Sequence, residues 1–166
     1  MANPYQHKDI IATGSHHPMK HLLTITATCV LLCLTTSPVW AEGAGIEWDV
    51  LNDEVMELLR TGKYDRGVVV AKKALEVAEQ NVGPDHPDVA TSLNNLASLY
   101  NNQGHYAQAE PLYKRALAID EKALGPDHPS VATSLNNLAE LYRAMNRDDE
   151  ADPLEQRAAR IEAIER

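Results

Sequence analysis

The sequence predicts an all-α fold, a short right-handed solenoid of about three antiparallel helix pairs. Three features predict it. A 42-residue period covers about residues 48–166, each period carries two apolar stripes at helical spacing, and Gly or Pro stands where a stripe ends. Aromatic residues make up only 5% of the 166, with no Phe, while Ala and Leu abound. That balance favours small-residue helix packing over an aromatic-cored β-sandwich.

The period is plainest in the middle of the chain. Gly83-Pro84-Asp85-His86-Pro87 recurs as Gly125-Pro126-Asp127-His128-Pro129, and sixteen of eighteen positions are identical between residues 83–100 and 125–142. Upstream, Gly62-x-Tyr64 aligns with Gly104-x-Tyr106, and Lys72-x-Ala74-Leu75 with Lys114-x-Ala116-Leu117. Downstream, Ala151-x-Pro153-Leu154 and Arg157-Ala158 repeat Ala109-x-Pro111-Leu112 and Arg115-Ala116. The units fall at about 47–83, 87–125 and 129–166.

Each unit reads as two helices. The first unit opens with a helix over about 47–60. In the second, Pro87 suits a first helical position, with Asp85 or His86 capping before it. At about 100° per residue, Val89, Leu93, Leu96, Ala97 and Tyr100 share one arc, and Thr91, Asn94, Asn95, Ser98 and Asn101 the opposite one. Gly104 turns the chain. A second helix then runs from about Tyr106, with Ala109, Leu112, Tyr113, Ala116, Leu117 and Ile119 as its stripe, and Gly125-Pro126 ends it. Pro111 lies inside this helix and Pro153 repeats the position, so a slight kink is expected there rather than a break. The final helix, 148–166, has Glu155 where the middle unit has Tyr113, the kind of polar exchange that a water-facing terminal repeat requires. Asp148-Asp149-Glu150 favours its N-terminus through the macrodipole.

Residues 1–41 read as an N-terminal extension and a secretory signal peptide. Residues 22–34 are apolar but too short for a bilayer, Lys20 precedes them, and Val39-Trp40-Ala41 offers a cleavage site after Ala41. Translation starts at Met19, leaving the polar residues 1–18 outside the protein, or at Met1 with a long n-region. Cys29 and Cys33 leave with the leader, so 42–166 has no thiol and holds together by packing alone. The expected location is periplasmic or secreted, with no membrane span once the leader is removed. The chain carries a net charge of −9, the first 41 residues +1, and the remainder therefore −10. An acidic surface of this kind argues against nucleic-acid binding, which needs clustered Lys and Arg.

Leu96-Ala97-x-x-Tyr100-x-x-x-Gly104-x-Tyr106-x-x-Ala109-x-x-x-Tyr113-x-x-Ala116-Leu117 resembles the tetratricopeptide repeat. The 42-residue unit with its Gly-Pro-Asp-His-Pro link is similar to the kinesin-light-chain subtype. The resemblance implies a helical superhelix whose first helices line a concave groove that binds a peptide or a partner protein. It does not imply motor cargo work. Departures fall in the outer units: Glu54 stands where Leu96 and Leu138 do, Gly67 and Ala71 replace Ala109 and Tyr113, and Asn146 and Asp148 replace Gly104 and Tyr106.

The candidate site is the polar arc of the first helices: Thr91, Asn94, Asn95, Ser98 and Asn101 in one unit, Thr133, Asn136, Asn137, Glu140 and Arg143 in the next. Each Asn offers two donors and an acceptor, enough to pair with both N–H and C=O of an extended peptide. Glu140 and Arg143 add selectivity. The plainer alternative is that an exposed helical face is simply polar and that some Asn pack between repeats. A carboxylate clamp, another binding mode of the family, needs cations at positions held here by Asn52, Asn95, Thr133 and Asn137. Asp85-His86 and Asp127-His128 are explained by capping and turn formation, so neither a metal nor a cofactor is expected. No compact catalytic motif appears, and the protein is expected not to be an enzyme. The alternative to peptide binding is an architectural role, with arrays packing end-on into a homo-oligomer.

Overall fold

The computed structural model describes residues 39–164, with side chains from Glu47 onward. Six helices follow in order: α1 (Val39–Arg60), α2 (Tyr64–Val82), α3 (Pro87–Asn102), α4 (Tyr106–Leu124), α5 (Pro129–Ala144) and α6 (Asp148–Ile164). They form three hairpins, α1/α2, α3/α4 and α5/α6, with α2 packed on α3 and α4 on α5. Among the described residues the backbones of α1 and α3 and of α3 and α5 approach closely, whereas α2 and α4, and α4 and α6, stay farther apart and are joined through long side chains. The first helices therefore lie in one row on the inner curve. The apolar run at 22–34 and both Cys lie outside the described residues.

One expectation is corrected. The first helix begins at Val39 rather than near Glu47 and runs through Ala41, the expected cleavage point. Pro38 precedes it, and no further proline follows to stop it, although Gly43 and Gly45 are weak helix formers. The repeat period marks only the part of this helix that packs on its neighbours.

The turns are set by backbone chemistry. His86 and His128 are the caps, their Nδ1 atoms accepting from the backbone N–H of Asp88 and Ser130 at 3.2 Å, each with Pro at the first helical position. Each hairpin turn is a Schellman motif. Lys63, His105 and Arg147 donate to the carbonyls of Leu58, Tyr100 and Tyr142 at 2.9, 2.8 and 2.8 Å. The residue before each of these donors is left-handed: Gly62 at φ 69°, Gly104 at 75° and Asn146 at 57°. Asn146 thus does the work of the glycine it replaces, because Asn tolerates this region better than other side-chain-bearing residues. Pro111 and Pro153 sit inside α4 and α6, which run on through them.

One apolar core threads all three hairpins. Val55, Ala71, Leu96, Leu99, Tyr100, Ala109, Tyr113, Leu138, Leu141, Tyr142 and Ala151 are all buried in it. Small residues allow the close approaches, as Ala97, Ala109 and Ala116 are wholly buried. In the first hairpin the approach is tighter still: a Cβ on Gly67 would lie 2.5 Å from Leu99 Cδ2. Gly67 is an adaptation to that contact.

Ion pairs repeat with the fold. Arg115 bonds Glu79 at 2.7 Å and the Pro84 carbonyl at 3.4 Å, and one period later Arg157 bonds Glu121 and, at 3.1 Å, the Pro126 carbonyl. Glu110 receives Lys114 at 2.6 Å, Arg147 at 2.8 Å and the Tyr142 hydroxyl at 3.2 Å, while Arg147 stacks 4.2 Å above the Tyr142 ring. Arg147 first, then Lys114, holds the Glu110 carboxyl down to about 2 from the usual 4.5.

Two outcomes follow. Gly67→Val should cost roughly 1–3 kcal/mol through overpacking against Leu99, measured by urea unfolding. A depressed carboxyl stabilises the fold fully above its unfolded value of 4.5 and loses that contribution as pH falls towards about 2. Glu110→Gln should therefore flatten the acid limb of the stability profile across this window and lower stability at neutral pH by about 1 kcal/mol.

Candidate functional site

Side chains that cross from one first helix to the next form a polar seam. Trp48 on α1 donates its indole N–H to Ser92 Oγ on α3 at 2.8 Å, and Asn95 Nδ2 donates to Asn52 Oδ1 at 2.6 Å. One unit on, Asn94 Nδ2 donates to Ser134 Oγ on α5 at 2.8 Å, and Ser134 donates to Asp120 Oδ2 on α4 at 2.7 Å. Asp120 is only 3% exposed. Burial pushes its carboxyl above the usual 3.8, against the opposing pull of the Ser134 bond and of His128. Asn94 Oδ1 is buried with no hydrogen-bond partner. A satisfied buried amide would have one, so this atom stands out.

Asn94, Asn95 and Asp120 line a pocket of about 210 Å³ between the N-terminal halves of α3 and α5. Asp120 and Asn94 belong to its wall. Pro87, Thr91 and Asn95 come from α3, and Ser130, Thr133 and Asn137 from α5. The Thr91 and Thr133 hydroxyls donate within their own helices to the Pro87 and Pro129 carbonyls, at 3.2 and 3.3 Å. Their oxygen lone pairs remain available as acceptors.

Five of the ten sequence candidates thus meet at one place: Thr91, Asn94, Asn95, Thr133 and Asn137. The other five do not line this pocket. Ser98 is half-buried near Tyr113, whose hydroxyl titration is pushed up to about 12, chiefly by burial. Asn101 is half-buried on the last turn of α3. Asn136 is exposed at the far end of the array and donates to Glu162 on α6 at 3.1 Å. Glu140 is exposed on α5. Arg143 is enclosed by carboxylates, with Asp148 at 2.9 Å, Asp152 at 2.5 Å and Glu155 at 2.8 Å.

The sequence reading missed Asp120. It sits on a second helix, and its counterparts one period away are Ala78 and Glu162, so the repeat carries no signal for it. The available clue was a carboxylate beside Ile119, next to an apolar stripe. The pocket brings together amides, hydroxyls and a carboxylate, groups that can hydrogen-bond what enters it.

Residues 57–122 and 94–161 match the tetratricopeptide repeat family. No curated protein matches the chain. Among solved structures, it is similar to the nearly identical TPR-like repeats of a kinesin-light-chain-type protein from Podosopora anserina, at 24% identity and a TM-score of 0.65. That match covers 70% of this chain and 56% of the other. It is also similar to BtubC (BKLC) from P. vanneervenii, at 28% identity and TM-score 0.64, covering 70% of this chain and 47% of that one. The TPR domain of Arabidopsis FLU matches at 19% identity and TM-score 0.62, over 72% of this chain and 98% of that domain. The chain thus spans about half the length of the first structures that it matches.

Ser134→Ala should leave Asp120 without its donor and raise its carboxyl further. A raised carboxyl favours the fold below its unfolded value of 3.8 and penalises it as pH rises through the folded value. The variant should therefore lose about 1–3 kcal/mol at neutral pH and less in acid, which urea midpoints across pH would show.

Proposed function

This chain belongs to the tetratricopeptide repeat family, a family of protein–protein interaction modules, and we propose that it holds an extended segment of a partner protein in the groove between α3 and α5. One observation carries this reading: the pocket on the inner row of helices has a buried amide oxygen, Asn94 Oδ1, that nothing in the fold satisfies. The groove amides and hydroxyls suit a main chain, whose N–H and C=O alternate. In this reading the protein is not an enzyme, takes no cofactor and does not bind nucleic acid, consistent with its net charge of −9. It acts as an exported protein, periplasmic or secreted, with the leader at residues 1–41. No described helix is long and apolar enough to cross a membrane.

A second reading has its own observation. Val50 and Met56 on α1 and Val69 on α2 are 61%, 52% and 69% exposed, and Ile164 on α6 is 70% exposed. Apolar side chains at both ends of an array suit end-on packing of copies, the architectural alternative. A strict monomer in light scattering at high protein concentration would remove it.

Affinity capture from the source organism, comparing the wild type with Thr133→Trp and Asn136→Ala, tests the main proposal. Thr133→Trp fills the groove and should release the captured partner; Asn136→Ala, outside the pocket, should keep it. Retention of the partner by the tryptophan variant would overturn the groove reading.

A further inference from the structure

The hydrogen bonds of the pocket divide unequally between donors and acceptors. Asn94 spends one Nδ2 proton on Ser134, Ser134 spends its hydroxyl proton on Asp120, Asn95 donates to Asn52, and the two threonines donate to their own helices. What remains includes several acceptors, the second carboxylate oxygen of Asp120, the threonine oxygens and the buried, unsatisfied Asn94 Oδ1 in the wall, beside the second amide protons of Asn94 and Asn95 and the Ser130 hydroxyl. Asn137 at the α5 side presents an amide of either polarity.

Charge points the same way. A carboxylate taken out of water is costly unless a cation or several donors meet it. Asp120 is 3% exposed, Ser134 is its one hydrogen-bond donor among the described residues, and no Lys or Arg there pairs with it. The acids that the fold pairs with cations, such as Glu79 and Glu121 with Arg115 and Arg157, are partly exposed. Among the described residues Asp120 is the one buried acid, and it borders an open pocket.

We infer that the pocket between α3 and α5 is a socket for one cationic side chain, Lys or Arg, of the bound segment, with Asp120 as its counter-charge and Asn94 Oδ1 as a second acceptor. The inference rests on the groove reading above and specifies its occupant. The cation's N–H groups supply the charge-assisted donors that Asp120 lacks. Its aliphatic stem passes Pro87 and the methyl groups of Thr91 and Thr133 at the mouth. The net charge of −9 steers such a segment towards the protein. Charge-assisted bonds to a desolvated carboxylate are the strong kind, so a single residue of the partner would dominate recognition.

Panning a library of random linear peptides against the immobilised protein tests this. Enrichment of peptides with Lys or Arg at one fixed register supports it. Enrichment of peptides without a cation at a fixed register overturns the socket and leaves the groove reading standing; no enrichment at all overturns both. For an enriched peptide, changing its fixed Lys or Arg to norleucine should weaken binding by about 30-fold or more, the loss typical of truncating one partner of a buried pair. Equal affinity of the two peptides would overturn the socket without relying on any variant of the protein. Asp120→Asn, which keeps the shape and the bond from Ser134, should bring the two peptides to within about threefold of each other, the coupling energy having been removed.

Discussion

Nesting of one helical hairpin into the next at positions that tolerate almost no side chain is the constraint on which the molecule depends. A single hairpin has an apolar stripe that it cannot bury alone, and successive hairpins cover each other's. That works only if the helices come close, and the residues at the crossing points are Gly67, Ala109 and Ala151, one period apart and all buried. Leu99 and Leu141 fill the space opposite them, both with no exposure. Dispersion contacts across such a fit are individually weak and collectively large. The caps, Schellman turns and repeated arginine pairs keep the register in which the fit occurs.

Much of this was legible in the sequence because the period is long and its conformational markers are few. Pro87 and Pro129, the glycines and the apolar spacing located five of the six helices, with the first correctly ended and wrongly begun. Where the markers changed chemically, the period hid an equivalence: Asn146 adopts the backbone conformation of Gly104, and Gly67 answers a local contact with Leu99. Those substitutions look like decay when residues are compared by type. They read as solutions once backbone angle and neighbour distance are known.

The candidate site was half legible, for a reason visible in three asparagines. Asn52, Asn94 and Asn136 occupy equivalent positions, yet Asn52 accepts from Asn95, Asn94 donates across to Ser134, and Asn136 turns to Glu162 on its own hairpin. Periodicity fixes which way a side chain leaves its helix. It does not fix which atoms the adjacent unit offers, and those differ from unit to unit. Asp120 escaped detection for the complementary reason, being a residue whose importance comes from occurring once in a sequence read for what recurs.

The arginine ties have a mechanical consequence. Arg115 and Arg157 each grip both a glutamate on the preceding second helix and a carbonyl in the intervening linker. They lie along α4 and α6, away from the row of first helices, and reach across the margin where successive second helices make no close backbone approach. The first helices meet directly along the other margin. A segment seated between α3 and α5 therefore occupies the closer-packed side of the array, between units whose spacing is held from both margins.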